Sequence, residues 1–273
     1  MQRRVSKVLK FILIVLVSAV CLMPFYFMIV MSTVTNADIF MGRIGKIGPH
    51  FLENVQNVLR GGGYLTSYKN SIIISAVAVF VNLLFSSMAG YALTVYRFPL
   101  RNACYNFILL SMMIPSSIGM IGYMQEMRVL GLSKTLIPMM LPWFANGFGC
   151  FWMTQYMKTS LQIEIVESAR IDGSNEMNTF LQVIIPCIRP ALGTLGLCIF
   201  LWSWNNYLLP LVMINNAANY TIPLYIRTLG NEHMADYAAR ITGLLLAIAP
   251  LMLAFTLGSK NFIKGLTAGA VKG

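Results

Sequence analysis

The reading of this chain turns on Val166-Glu167-Ser168-Ala169-Arg170-Ile171-Asp172-Gly173, followed after a nine-residue interval by Val183-Ile184-Ile185-Pro186. The stretch is polar, yet it lies between long apolar runs. Glu164, Glu167, Asp172 and Glu176 place four of the chain's nine acidic residues within thirteen positions. The spacing predicts one short helix over residues 160–172, with Leu161, Ile165, Ala169 and Asp172 near one face. Gly173 can adopt the positive φ that ends a helix. Ser174 is the expected N-cap of a second helix, in which Met177, Phe180, Leu181 and Ile184 recur at helical spacing before Pro186. Two short helices with exposed apolar residues make an elbow suited to a groove on a partner protein. The plainer alternative is an interfacial loop that only ties two spans together.

Composition sets the solvent. Of the 273 residues, 57% are hydrophobic and 11% charged, against about 25% charged in soluble domains. Six apolar stretches approach the roughly 20 residues that a spanning helix needs, at 12–34, 71–95, 105–124, 136–157, 187–210 and 240–259. The fold class expected is an all-α integral membrane protein with six transmembrane helices. The first stretch is longer than a signal-peptide core and no clear cleavage site follows it, so it reads as a retained anchor. Arg3, Arg4, Lys7 and Lys10 place the N-terminus in the cytoplasm, and six spans return the C-terminus to the same side. Twelve of the twenty Lys and Arg then lie on the inside, which accounts for the net charge of +11 without nucleic acid. The elbow falls on the cytoplasmic side, between spans four and five.

The chain divides into a cytoplasmic tail (1–11), an anchor helix with an extracellular segment (12–69), a membrane core (70–260) and a cytoplasmic tail (261–273). Residues 35–70, with Gly61-Gly62-Gly63 and a short helix over Leu52 to Leu59, and residues 211–238 lie outside. Cys21, Cys104, Cys150, Cys187 and Cys198 show no paired spacing and read as small apolar residues. His50 and His233 are isolated, and no metal or catalytic grouping is expected. No P-loop sequence is present, so the chain binds no nucleotide in a P-loop of its own.

The elbow resembles the EAA loop of binding-protein-dependent ABC importer permeases, with Glu167, Ala169, Gly173 and Pro186 matching in identity and spacing. Ser168, Val183 and Ile185 are mild replacements, and Leu161-Gln162-Ile163-Glu164-Ile165 lacks the proline common upstream in sugar permeases. Asn70-Ser71, Gly90-Tyr91-Ala92-Leu93, Met113-Ile114-Pro115, Trp204-Asn205-Asn206-Tyr207 with Pro210, and Ala268-Gly269-Ala270-Val271-Lys272-Gly273 extend the likeness to the sugar-importer branch that includes the maltose permease G subunit. The resemblance implies an ABC type I permease core over 70–260 in the bacterial plasma membrane. It implies partners: two ATPase subunits holding ATP and Mg, a second homologous permease subunit and an extracellular solute-binding protein. It also implies that Glu167, Ser168, Ala169, Asp172, Gly173, Met177, Phe180 and Pro186 couple the spans to the ATPase. The basic tail with Lys260, Lys264 and Lys272 is expected to approach that ATPase.

A sugar path needs aromatic faces and amides at mid-membrane depth. Asn82, Asn146, Trp202, Trp204, Asn205 and Asn206 are the candidates, while Trp143 and Trp152 read as packing or interface residues. The solute expected is a carbohydrate, in particular an oligosaccharide. The alternative is a transporter driven by an ion gradient, which would carry ionisable residues inside its spans. Here charges cluster at span ends, with Arg240 near the start of span six and Asp236 one turn before it.

Overall fold

The computed structural model describes residues 2–230, 235–256 and 258. His233 and the tail lysines Lys260, Lys264 and Lys272 lie outside the described residues. Among those described, the chain is helical, with one isolated β-bridge between Gly230 and Ala235. In chain order the helices are α1 (Gln2–Met31), α2 (Asn36–Phe40), α3 (Phe51–Arg60), α4 (Tyr64–Val95), α5 (Arg101–Met113), α6 (Met120–Val129), α7 (Ile137–Met140) and α8 (Gly147–Ser160). There follow α9 (Ile163–Ile171), α10 (Glu176–Asn178), a π-helical segment over Thr179–Ile184, α11 (Ile185–Cys187), α12 (Arg189–Trp204), α13 (Leu208–Met213), α14 (Ile222–Thr228) and α15 (Tyr237–Ala247).

Among the described residues, three helical runs are long and apolar enough to cross a membrane: Ser6–Met31, Tyr64–Val95 and Tyr237–Thr256. A fourth arises if Glu176–Cys187 and Arg189–Trp204, bent by 80°, count as one. The remaining apolar stretches are interrupted, for identifiable reasons. The 105–124 stretch breaks after α5 because Ile114 precedes Pro115 and takes an extended ψ of 120°, as residues before proline do. The 136–157 stretch passes through a 3-10 turn at Leu141–Trp143 and restarts at α8, where the Asn146 side chain accepts from the Gly149 N–H. The bend before α12 sits at Ile188, between Pro186 and Pro190, neither of which can donate a backbone hydrogen bond.

The described residues form two compact units. One comprises those up to Leu65 together with Pro223–Ala249. Here α15 packs on α3 and α1. The buried Asn54 amide donates to the Ser32 and Val34 carbonyls at 2.9 and 3.0 Å, completing the end of α1. Asp236 accepts from the Ala239 N–H at 2.9 Å and so caps α15. Arg240 donates to the Leu229 carbonyl at 3.0 Å, which gives this charge a local structural partner. Gly61 and Gly63 lie against the ring of Tyr225, where an added Cβ would come within 2.8 and 2.6 Å.

The other unit comprises Thr66–Ile222 and the described residues from Pro250 on. Its core gathers Ala78, Met153, Met157, Val166, Phe180, Ile184, Ile188, Leu195 and Ile199 from α4, α8, α9, the π segment and α12. Gly90 lets α4 and α8 meet backbone to backbone, since a Cβ there would lie 3.0 Å from the Met153 carbonyl carbon. Asn70 donates to the carbonyls of Ala218 and Tyr220 at 2.8 and 3.0 Å, and the Ser71 hydroxyl accepts from the Ile222 N–H at 2.9 Å. Both residues of that sequence pair therefore anchor the loop before α14. Arg101 donates to the Leu93 carbonyl at 2.8 Å, closing the last turn of α4.

Candidate functional site

Two polar groupings occupy the second unit. The first is the elbow. Residues 160–172 do not form one helix as the sequence spacing predicts. Helix α8 runs to Ser160, Leu161 and Gln162 are extended, and α9 begins at Ile163. The break lets Leu161 turn onto the core. Gly173 has φ +82°, and the chain around it closes a Schellman motif. Its N–H donates to the Arg170 carbonyl at 3.1 Å, and the Ser174 N–H donates to the Ala169 carbonyl at 3.0 Å. That closure engages the Ser174 backbone, so the expected N-cap moves one residue on. Asn175 caps α10, accepting from the Asn178 N–H at 2.8 Å.

The π segment corrects the expected apolar face. Its widened turn does not follow the 100° step of an α-helix. Thr179, Phe180 and Ile184 are buried, whereas Met177 and Leu181 are 61% and 51% exposed. Ile171, at the end of α9, is 85% exposed, and the sequence reading missed it. Glu167, Ser168, Asp172 and Gly173 are exposed, Ala169 and Pro186 half-buried. Ser168 donates to the Glu164 carbonyl at 2.9 Å. The elbow therefore presents carboxylates and bare apolar side chains together.

Glu176 has a role that spacing alone does not reveal. Its Oε1 accepts from Arg170 Nε at 3.0 Å. Its Oε2 accepts from the Tyr91 hydroxyl at 3.0 Å and from the Tyr96 hydroxyl. The Arg170 guanidinium also lies 5.4 Å from the centre of the Tyr96 ring. The Tyr96 hydroxyl bond, then the Tyr91 bond and the Arg170 charge, hold the Glu176 carboxyl below the usual carboxylate range against its partial burial. Burial, followed by the bond to Glu176, pushes the Tyr96 phenol up, which keeps its hydroxyl a donor.

The second grouping is a cavity of about 660 Å³. Ser116, Tyr123, Trp143, Asn146, Trp202 and Asn206 supply its polar and aromatic lining, and among the described residues no acidic or basic side chain lines it. Trp202 is 45% exposed and is held edge-on by Phe148, with ring centres 5.0 Å apart. Both amides use their carbonyl oxygens locally: Asn146 Oδ1 accepts from Gly149 N–H at 2.8 Å and Asn206 Oδ1 from Leu209 N–H at 3.3 Å. Neither NH₂ group has a partner among the described residues, so each remains a donor for a guest.

The structure thus brings together Asn146, Trp202 and Asn206 from the sequence candidates, while Trp143 packs in the buried core as expected and borders the same cavity. It places the other three elsewhere. Asn82 is fully buried and donates to the Trp143 carbonyl at 3.1 Å, supporting the cavity wall from behind. Trp204 is buried, stacked on Phe200 with centres 5.7 Å apart. Asn205 donates to the Leu201 carbonyl at 2.8 Å within its own helix.

The chain is similar to known transport proteins. Residues 82–267 match the family model described as binding-protein-dependent transport system inner membrane component. The chain is 32% identical to the arabinooligosaccharides transport system permease protein AraQ of Halalkalibacterium halodurans, with all of both chains covered. It is 29% identical to the lactose transport system permease protein LacG of Rhizobium radiobacter, covering all of this chain and 98% of that one. A solved bacterial ABC transporter involved in import of the acidic polysaccharide alginate contains a chain with TM-score 0.78 and 25% identity, covering 95% of this chain and 97% of that one.

Proposed function

The chain belongs to the binding-protein-dependent transport system inner membrane components, and from that premise we propose that, as the permease subunit of an ATP-driven carbohydrate importer, it moves an uncharged oligosaccharide through the cavity beside Trp202. The related permeases differ in cargo: arabino-oligosaccharides and lactose on one side, acidic alginate on the other. The cavity lining carries the choice between them. Indole faces stack on sugar rings, and the two free amides donate to hydroxyls. A carboxylate or phosphate brought into the same space meets no cation among the described lining residues, and an unpaired ion removed from water is costly.

In this reading the spans are α1, α4, the broken pairs α5–α6 and α7–α8, α12 and the run Tyr237–Thr256 that α15 opens, with both termini in the cytoplasm. The elbow docks on one of two ATPase subunits that hold ATP and Mg. A second permease subunit completes the path, and an extracellular binding protein delivers the solute. ATP binding closes the ATPases, the elbow moves with them, and the cavity exchanges outward for inward access. The tests use the whole transporter in proteoliposomes and the chain in intact cells. ATP should drive uptake of a labelled neutral oligosaccharide, and an oligosaccharide of uronates should not compete. Equal competition by the uronate would overturn the charge argument. Uptake that survives ATP depletion with the ion gradient maintained would overturn the ATP-driven reading. A cysteine replacing Ser174 in a cysteine-free chain should resist impermeant reagents from outside; labelling there would overturn the topology.

A further inference from the structure

The geometry points to Glu176 as the positioning residue that ties the elbow to α4, so that movement of the elbow reaches the cavity wall. The inference rests on the permease reading above. The contacts of Glu176 go beyond what folding of the elbow alone requires. The turn between α9 and α10 is already closed by the Schellman hydrogen bonds and the Asn175 cap. The Arg170–Glu176 pair spans that turn with one carboxylate oxygen. The other oxygen faces away from it, onto two phenols at the end of α4. One carboxylate therefore joins α9, six residues before it, to the end of α4, 80 and 85 residues away.

Those phenols are set firmly. Tyr91 is 6% exposed, with its ring 5.7 Å from Phe180 and 5.5 Å from Tyr96. Hydrogen bonds to an ionised acceptor are the stronger kind. An exposed ion pair by itself contributes little, so the tyrosine bonds hold the joint. Helix α4 then runs nine residues from Tyr91 to Asn82, about 13 Å at the α-helical rise. The buried Asn82 amide holds the Trp143 carbonyl, and Trp143 lines the cavity. A displacement of the elbow thus has a continuous mechanical route to Trp143: carboxylate, phenols, helix, amide.

The test measures solute imported per ATP hydrolysed by the reconstituted transporter. Glu176→Ala should lower solute per ATP by fivefold or more, a ratio that already normalises for any change in ATPase docking. Tyr91→Phe combined with Tyr96→Phe should lower it similarly. The triple variant should be no worse than Glu176→Ala, because all three residues act through one joint. Glu176→Gln keeps an acceptor for the phenols and should recover much of the ratio; it also serves if the alanine variant fails to assemble. Unchanged solute per ATP in Glu176→Ala, or in Tyr91→Phe with Tyr96→Phe, would overturn the inference. Strictly additive losses in the triple variant would overturn it as well. Failure of the permease reading has a different signature: wild type would import without ATP or without an ATPase partner.

Discussion

The elbow and the cavity belong to the same compact unit, yet their chemistry is opposite. The elbow holds Glu164, Glu167, Arg170, Asp172 and Glu176 beside the exposed side chains of Ile171 and Met177. The cavity holds indoles, amides, a phenol and a serine, with no acidic or basic group among the described residues. Charge is inexpensive where water or a charged partner surface is present, and costly along a path from which water is withdrawn. In the proposed reading, the contrast separates a surface that receives force from a space that receives cargo. On the proposed function, a substitution in one should spare the task of the other.

Substitutions at Gly173 push hardest on that separation. A Cβ at this position meets nothing within 4 Å, so only its φ of +82° resists a side chain from within this subunit. Gly173→Ala should therefore cost about 1 kcal/mol of local strain and reduce uptake partially. Gly173→Asp adds a charge at the docking face and should abolish uptake while leaving solute capture by the binding protein intact. Uptake assays and ATPase pull-downs on both variants check this; normal transport by Gly173→Asp would remove the elbow from the mechanism. Next come Trp202→Ala and Asn206→Ala. Each should remove about 1 kcal/mol of solute interaction, roughly a fivefold rise in the half-saturating concentration, with the ATPase still bound. Equal loss of ATPase binding would erase the distinction between the two regions.

Asn82→Leu probes the wall rather than the cargo. It leaves the Trp143 carbonyl without its side-chain donor, so a loss of about 1–3 kcal/mol is expected, read as a lower unfolding temperature in detergent. The smallest effect concerns pH. The Glu176 carboxyl is held below its ordinary range in the fold. Its contribution is therefore present above the unfolded value of about 4.3 and is lost only as pH falls through the lower folded value. Solute per ATP should stay flat between about pH 6 and pH 8 as far as this group is concerned. A step in that window that disappears in Glu176→Gln would show the carboxylate titrating far above its expected range.

The legible parts of the sequence were those whose cause is local. Gly173 as a helix terminator, the polarity of the elbow and the long apolar runs α1 and α4 all follow from residue type and near neighbours. The breaks inside the other apolar stretches were less visible, because a hydropathy window averages across Pro115, Pro142 and the Asn146 cap. Trp204 lies away from the cavity for a tertiary reason, since Phe200 and Tyr68 pack against it, while the 3-10 turn lets the core residue Trp143 also border the cavity. Glu176 was read only as part of an acidic cluster, since its phenol partners lie 85 and 80 residues away. A signal did exist. Tyr91 and Tyr96 stand at the end of an apolar helix, where a hydroxyl needs a polar neighbour.

The π segment at Thr179–Ile184 also affects how relatives of this chain should be aligned. A π turn is an α-helix with one residue inserted. The interval between Gly173 and Pro186 therefore measures a length of chain, and only indirectly a length in space. A deletion of one residue here can be absorbed as an ordinary α turn, with the chain still continuous. It would also rotate what precedes the turn by about 100° relative to α12, carrying Glu176 away from Tyr91 and Tyr96. A homologue one residue shorter in this interval can match at Gly173 and Pro186 and still present a different face to the end of α4. Such a gap, trivial on the page of an alignment, marks a change of gearing.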